Sequence, residues 1–317
     1  MSASKIAAQF RLLTWGAVQV ARLGRPAIAL GFLGGIGDDL LCTAPIEEWR
    51  RRRAGRIWFF SRHHGLHRSL GSPVKLIPDD PRYQRLAIRL GCPMRPLSYS
   101  TYDPAIDRDT ALSEHLIASM CRRAGLRGTV RLRPHLNLSG SEQAEARRWN
   151  GWLAMQSGGL AAAVPMQNKQ WRPDHFQELA TQLLAQGARI VQVGATSDAR
   201  LEGTTDLRGR TDLRQTATVL AGARLLVGLS GFLMHLARAV ETPSVIVYGG
   251  REPPELTGYS CNLNVDDRPA CAPCWQRNRC DFGHTCMQAI SVSQVLAAVQ
   301  QALARPRGPL AEDLAEL

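Results

Sequence analysis

Short apolar runs alternate with longer amphipathic stretches along most of the chain. The runs predict strands at 27–33, 56–60, 161–165, 189–193, 225–228 and 244–248. Apolar residues at helical spacing predict helices at 112–124, 173–186, 212–222 and 234–240, and Gly187 marks the end of the second. Strands that alternate with helices of this length indicate parallel βαβ units.

This order of elements predicts an α/β fold in which two Rossmann-like, doubly wound domains face a cleft. A boundary in 149–159 divides a first domain at 26–150 from a second at 151–288. An amphipathic helix at 289–304 closes the fold, and the tail at 305–317 is expected to be loose. Ligands are expected at the carboxyl ends of the strands.

Residues 1–25 are predicted to form a basic amphipathic helix. Its apolar face comprises Ile6, Phe10, Leu13, Ala17 and Val20, and its basic residues are Lys5, Arg11, Arg22 and Arg25. Such a helix either lies on an anionic membrane surface or packs on the protein body. No apolar run reaches about 18 residues and no secretory signal is evident, so a cytoplasmic protein, peripheral on the inner membrane at most, is predicted.

The net charge indicates a ligand that carries phosphate. The chain has 39 Lys and Arg against 27 Asp and Glu, a formal charge of +12. A basic surface attracts nucleic acid, lipid or nucleotide. Nucleic acid is disfavoured, because the chain shows neither interleaved stacking aromatics nor a known nucleic-acid module.

Four cysteines near the C-terminus indicate a metal site. Their spacing is Cys-x2-Cys-x5-Cys-x5-Cys, at Cys271, Cys274, Cys280 and Cys286. Four thiolates suit a tetrahedral Zn or Fe ion, and the segment between them has few apolar residues to fix its shape. A pair of disulfides or merely adjacent thiols are the alternatives. A site closed by four protein ligands is structural, so the chemistry is expected elsewhere.

A glycine loop precedes the first predicted helix. Gly34, Gly35 and Gly37 follow a strand, and such glycines allow close approach of the backbone to a ligand. Asp38 is interpreted as the N-cap of that helix. The third glycine of a dinucleotide-binding motif would fall at Leu40, which argues against an NAD-dependent enzyme.

A second candidate site begins at Lys169, just before the helix at 173–186. A lysine beside a helix N-terminus, with Pro173 in the first turn, is a workable site for a diphosphate.

The order of four segments, 35–41, 169–176, 206–211 and 234–244, resembles glycosyltransferase family 9, the heptosyltransferase-like enzymes with a GT-B fold. The resemblance runs from about 27 to 304 and implies inverting transfer from a nucleotide diphosphate sugar, usually ADP-heptose, without a catalytic metal. It implies that Asp38 is the catalytic base, that Lys169 binds phosphate, that Thr211 lies near the adenosine, and that His235 belongs to the donor-binding set.

The chain departs from the family at one motif. The family has Asn-Asp-Ser-Gly, whose Asp touches the donor sugar, where this chain has Leu229, Ser230, Gly231 and Phe232. Ser230 can still hydrogen-bond a hydroxyl, and the amides of Gly231 and Phe232 can still reach a phosphate, but the negative charge is absent.

The C-terminal segment resembles a branch that includes the autotransporter heptosyltransferases, in which four cysteines hold iron. The implied acceptor is a lipopolysaccharide core or another surface glycan. The alternatives are a protein acceptor, namely an autotransporter, and a non-catalytic scaffold that keeps the fold.

Overall fold

The structure is a computed structural model that describes residues 3–32, 34–306 and 308–317, with side chains in the first helix from Leu13 onward. Lys5, Ile6, Phe10 and Arg11, four residues of the predicted amphipathic helix, therefore lie outside the described side chains. Leu33, the end of the first predicted strand, also lies outside the described residues.

The described elements alternate as predicted. The strands are β1 (Ile28–Gly31), β2 (Ile57–Ser61), β3 (Val74–Pro78), β4 (Met94–Pro96), β5 (Tyr102–Asp103), β6 (Arg108–Asp109), β7 (Thr129–Arg131), β8 (Leu153–Met155), β9 (Ile190–Gln192), β10 (Thr205–Asp206), β11 (Leu225–Leu229), β12 (Ser244–Val247), β13 (Leu263–Val265) and β14 (Leu314–Glu316). The helices are α1 (Ala3–Leu23), α2 (Ile36–Leu41), α3 (Thr43–Arg52), α4 (His64–His67), α5 (Pro81–Arg89), α6 (Leu116–Arg123), α7 (Gly140–Ala146), α8 (Pro173–Ala185), α9 (Leu213–Gly222), α10 (Phe232–Ala239), α11 (Pro254–Thr257), α12 (Thr285–Gln288) and α13 (Val292–Ala304).

Two parallel sheets form the two halves of the molecule. The first has the order β3-β2-β1-β4, and the second has the order β10-β9-β8-β11-β12-β13. The strand order reverses between β1 and β4 in one sheet and between β8 and β11 in the other. The predicted α/β, doubly wound GT-B architecture is thus confirmed, while the domain boundary at 150 stays a prediction.

Local sequence signals explain the clearest elements. Helix α8 begins at Pro173, whose fixed φ suits a first helical position, and the chain leaves it at Gly187, where φ is +84°. Phe176, Leu179 and Leu183 recur at helical spacing and are buried against the second sheet.

The first strand of the second half was predicted at the wrong place. The segment expected to be a boundary contains β8, which is buried and pairs with both β9 and β11 at the centre of the sheet. The strand expected at 161–165 is instead an exposed, irregular turn. Alanines alone cannot bury enough apolar area to hold a central strand, whereas β8 contributes Leu153 and Met155 to the core.

The tail is not loose. Strand β14 pairs antiparallel with β7 of the first half, and Arg133 forms an ion pair with Glu312 at 3.1 Å. The buried Arg238 donates to the Ala311 carbonyl at 3.0 Å. Helix α13 stays with the second half, where Val295 and Val299 are buried, so the chain crosses back through the tail.

Helix α1 packs on the protein body through one face. Trp15 meets Tyr83 of α5 edge-on at a ring separation of 5.0 Å, and Gly16 lies close to Leu86. The predicted apolar face points elsewhere: Leu13 and Ala17 are exposed. Among the described residues, no helix is both long and apolar enough to cross a membrane.

Ending the chain after Pro306 should lower the free energy of unfolding by roughly 2–4 kcal/mol, because the β7 ladder and buried Arg238 lose partners. Equilibrium urea unfolding would measure the loss. Glu316→Ala, which removes only an exposed contact to Thr129, serves as the control and should cost less than about 0.5 kcal/mol. An unchanged midpoint in the truncated protein would contradict a stabilising tail.

Candidate active site

Helix α2 of the first half and helix α10 of the second meet at a glycine. A methyl group on Gly37 would lie 3.6 Å from the Phe232 Cα and 3.8 Å from His235. Any longer side chain at that position would therefore push the helices apart. The segments after β1 and β11 consequently face each other at the carboxyl ends of the two sheets.

Asp38 is the third residue of α2 and not its N-cap, so the predicted capping role is corrected. The N-cap is Gly35, whose amide donates to the Asp38 carboxylate at 2.8 Å. The Tyr99 hydroxyl donates to the other carboxylate oxygen at 2.6 Å. A Cβ on Gly34 would fall 2.4 Å from that carboxylate, so glycine is required there. The glycine loop thus makes room for Asp38.

Loss of solvation is the largest influence on the half-buried Asp38 carboxyl. Loss of solvation raises the pKa of Asp38, against the opposing effects of the Tyr99 and Gly35 hydrogen bonds and of the nearby Lys169 cation. Burial and the Asp38 carboxylate in turn raise the pKa of Tyr99 well above its ordinary value, so the phenol keeps its proton.

The pKa of the adjacent Asp39 is shifted in the opposite direction. It accepts a hydrogen bond from Ser61 at 2.6 Å, lies 2.8 Å from His63 Nδ1, and lies 3.6 Å from His67 Nε2. Burial works against the charge, but these partners lower the pKa of Asp39 overall. Asp39 is therefore an anion that anchors α2 to the loop after β2.

Lys169 lies in a 3₁₀ turn before α8, and its ammonium contacts a carboxylate that the sequence did not predict. Its Nζ is 2.6 Å from Glu252 Oε1, and 17% and 5% of the two side chains are exposed. Burial lowers the pKa of Lys169, and Glu252 opposes that shift. Burial alone would raise the pKa of Glu252, but Lys169 and Arg251 lower it to about 2.

The pair continues into a row of alternating charges. Arg251 contacts both Glu252 and Asp109 of strand β6. Asp109 also accepts two hydrogen bonds from Arg277, at 2.5 and 3.0 Å, and the Arg277 guanidinium lies 3.8 Å from the centre of the Tyr102 ring. The β5–β6 hairpin of the first half is thereby tied to the second half.

The segment that departs from the family lies beside this pair. Ser230 is buried near Glu252 and lowers its pKa, although its hydroxyl lacks hydrogen-bond geometry to any partner among the described residues. Gly231 is the N-cap of α10, which begins at Phe232. His235 shares a 2.7 Å hydrogen bond with Tyr259, and burial lowers the pKa of His235 to about 3, so the imidazole is neutral.

Thr211 was predicted to bind the nucleotide-sugar donor, but the contacts described above do not connect it to the other predicted donor-binding residues. It lies at the start of α9, where its hydroxyl is 2.9 Å from that of Thr216. Asp38, Lys169, Ser230, Gly231, Phe232 and His235 do converge.

The four cysteines line a common cavity without forming a compact cluster. The cavity, of about 240 Å³, is also lined by Asn168, Arg251 and His284. In this structure the four are free cysteines, and no disulfide joins them. The His284 amide lies 3.2 Å from the Cys280 sulphur. Within the described residues, no three Cys, His, Asp or Glu side chains are close enough together to hold a metal.

Four residues of the site escaped sequence reasoning. Tyr99 follows β4, and Arg251 and Glu252 follow β12, so all three lie beyond the carboxyl end of a strand, where ligands are expected. Asn168 precedes Lys169 and donates to the Gln276 and Arg279 carbonyls of the cysteine loop, which comprises residues 271–286. Only the strand-end rule could have found the first three.

A sequence model of glycosyltransferase family 9 (heptosyltransferase) matches residues 95–281, more than half of the chain. That range includes Lys169 and the segment at 229–235 but not Asp38. Lipopolysaccharide heptosyltransferase 1 of Escherichia coli K12 is 31% identical over 115 residues, 34% of this chain and 36% of the relative. Lipooligosaccharide heptosyltransferase 2 of Haemophilus influenzae is 26% identical over 141 residues, 38% of this chain and 41% of the relative. The matched part therefore spans about a third to two fifths of these relatives.

Solved structures share the fold. The iron-containing dodecameric glycosyltransferase TibC of enterotoxigenic E. coli aligns over 88% of this chain and 76% of its own, with a TM-score of 0.67 and 17% identity. TibC has also been solved in complex with ADP-D-β-D-heptose. The E. coli ADP-heptose lipopolysaccharide heptosyltransferase II aligns over 87% and 98%, with a TM-score of 0.62 and 16% identity.

Removing the charge of Asp38 and removing the charge of Asp39 should change the free energy of unfolding in opposite directions. Because the folded pKa of Asp38 is raised, its ionisation destabilises the fold, so Asp38→Asn should raise the free energy of unfolding at pH 7 by roughly 0.5–2 kcal/mol. The gain should shrink as the pH falls and Asp38 in the parent becomes protonated. Urea unfolding at pH 7 and near pH 4 measures both effects.

Asp39→Asn is the matched control. Its folded pKa is lowered, so it should lose roughly 1–3 kcal/mol at pH 7, and the loss should fade as the pH falls through the folded pKa. A change in the free energy of unfolding that has the same direction in both variants would contradict the predicted difference between the two carboxylates.

Proposed function

The chain belongs to glycosyltransferase family 9, and we propose that it is an inverting glycosyltransferase that moves heptose from ADP-heptose onto a lipopolysaccharide core or another surface glycan. The observation that carries the proposal is that Asp38 and Lys169 belong to one cleft: α2, which bears Asp38, packs on Phe232 and His235 of α10 through Gly37, and the Lys169 cation lowers the pKa of Asp38. A proton acceptor and a phosphate-binding cation at one point are what transfer from a nucleotide diphosphate sugar requires.

The proposed reaction is a single displacement. An acceptor hydroxyl transfers its proton to the Asp38 carboxylate while its oxygen forms a bond to the anomeric carbon of the donor. The bond from that carbon to the diphosphate oxygen breaks on the opposite face, which inverts the configuration. The departing diphosphate lies against Lys169 and the backbone amides of Gly231 and Phe232 at the start of α10. These charges make a catalytic metal unnecessary in the proposal.

The donor is proposed from the relatives and from the residues beside the Lys169–Glu252 pair. Matches to lipopolysaccharide heptosyltransferases and the ADP-heptose complex of TibC support ADP-heptose. Ser230 and His235 would contact the donor, with Thr211 nearer its adenosine. The neutral His235 offers hydrogen bonds without adding charge.

A protein acceptor is the second candidate. The four cysteines that line one cavity are the feature that resembles the branch with the autotransporter heptosyltransferases, and they are the observation behind an autotransporter-type acceptor as the alternative to a glycan. A chain that keeps the fold without transfer activity is the remaining alternative, and the experiment below separates the two.

The protein is proposed to act at the cytoplasmic face of the inner membrane. Leu13 and Val18 on α1 are 57% and 60% exposed while the opposite face packs on α5. Arg22 and Arg25 are exposed near the end of the same helix. Apolar residues flanked by arginines suit peripheral contact with anionic lipid.

We also propose a structural Zn or Fe ion at the four cysteines. Four sulphur donors are a ligand set suited to a tetrahedral Zn or Fe ion, and all four already line one cavity, although they would have to move closer together to ligate one ion. An amide beside the Cys280 sulphur is suited to stabilise a thiolate. The ion would fix the shape of a loop that contacts Asn168, the neighbour of Lys169.

Asp38→Asn should abolish sugar transfer and leave ADP affinity within a few fold of the parent, because the amide cannot accept the proton.

Lys169→Ala should instead weaken ADP binding by on the order of 1.5–3 kcal/mol, the range for a charge-assisted hydrogen bond. Transfer from ADP-heptose to a lipopolysaccharide-core acceptor and to an autotransporter fragment is followed by mass spectrometry, and ADP and UDP binding by calorimetry.

Near-parent transfer by Asp38→Asn would reduce Asp38 to a structural residue. Equal ADP binding by the parent and Lys169→Ala would place the phosphates elsewhere. A parent that binds ADP but transfers to neither acceptor would support the non-catalytic alternative.

Protein purified anaerobically should carry about one equivalent of Zn or Fe, as measured by elemental analysis. Changing Cys271 and Cys274 together to Ser should remove the metal and lower the midpoint of thermal unfolding, as chelation should. The same double change at Cys92 and Cys121, which lie outside the cysteine loop, tests whether metal content depends on these particular thiols. Metal-free parent protein, or two disulfides among the four, would contradict the site.

A further inference from the structure

Lys169 and Glu252 form a buried ion pair that joins two loops of the second half. Lys169 precedes α8, Glu252 follows β12, and 2.6 Å separates the ammonium from the carboxylate. Taking an ammonium group out of water costs several kcal/mol unless a counter-ion offsets it. The pair therefore decides whether Lys169 can stay charged where the diphosphate must bind.

The groups that face Lys169 come from four other elements. They are Glu252 and Arg251 from the loop after β12, Asp109 from β6, Asp38 from α2 and His235 from α10. Two arginines contact Asp109, and Asp38 accepts from Tyr99 and Gly35. Among the described residues, Glu252 is the carboxylate within ion-pair distance of Lys169.

We infer that Glu252 is a positioning residue that holds Lys169 protonated and directed into the cleft, so that the donor diphosphate meets a cation at every physiological pH. The inference rests on the proposed function and adds to it a residue that acts through Lys169. Glu252 suits the role because it is ionised throughout the working range, with a pKa of about 2.

Loss of the Glu252 charge should make phosphate binding depend on pH. Burial and the Arg251 cation both lower the pKa of Lys169, and Glu252 is the largest influence in the other direction. In Glu252→Gln the lysine should therefore lose its proton within the accessible range. Above the new lysine pKa, affinity for a diphosphate should fall about tenfold per pH unit.

The test is calorimetric titration of the full-length protein with ADP from about pH 7 to about pH 9.5, where the terminal phosphate stays dianionic. The parent should bind ADP with an affinity that changes less than about threefold. Glu252→Gln should bind at least about tenfold more weakly at the upper pH than at the lower. Glu255→Gln is the matched control, because Glu255 is 64% exposed and pairs with Arg268, so its profile should follow the parent.

Combining Glu252→Gln with Lys169→Arg should restore a flat profile, because a guanidinium does not lose its proton in this range. A merely structural Glu252 would weaken binding equally at all pH values, and the arginine would not correct it. ADP binding by the parent with a flat profile in Glu252→Gln would overturn the inference and leave the proposed function standing. A parent profile as steep as that expected of Glu252→Gln would overturn the inference without any variant. A parent that binds no ADP would overturn both.

Discussion

Buried charges of alternating sign hold the cleft together. Lys169, Glu252, Arg251, Asp109 and Arg277 follow one another from the cleft to the cysteine loop, each in contact with the next. Removing one partner of a buried pair leaves an uncompensated charge, which is costly, so each member constrains its neighbours. The β5–β6 hairpin, the loop after β12 and the turn before α8 must consequently keep one arrangement. The same contacts couple Lys169 to the cysteine loop, where the metal ion is proposed to bind.

A second constraint concerns two carboxylates on one turn of helix. Asp38 is half-buried and accepts hydrogen bonds from Tyr99 and Gly35, whereas Asp39 is fully buried and surrounded by Ser61, His63 and His67. The same residue type one position apart thus has a raised pKa at Asp38 and a lowered pKa at Asp39, and environment alone separates the two. The fold carries the destabilising Asp38 because the stabilising Asp39 fixes the helix that bears it.

Contacts outside the cleft also join the two halves of the molecule. Arg214 of α9 donates to Glu142 of α7 at 2.5 Å and to the Leu66 carbonyl of the first half at 3.0 Å. His115 reaches the Gly258 carbonyl at 2.9 Å, and the C-terminal tail adds a strand to β7. These ties join the two halves at three places besides the contact between α2 and α10.

The sequence by itself determined the elements whose signals are local and the residues that belong to ordered motifs. Helix α8 was predicted between its proline and its glycine, and β2 as an apolar run, because burial and capping depend on neighbouring residues. Asp38 and Lys169 were predicted as site residues because the ordered motifs that contain them resemble glycosyltransferase family 9. Only the tertiary structure decided that β8 is a central strand, that the tail crosses back, and that Glu252 and Tyr99 join the site. Strand partners and buried counter-ions are contributed by residues far apart in the chain, so no local pattern records them.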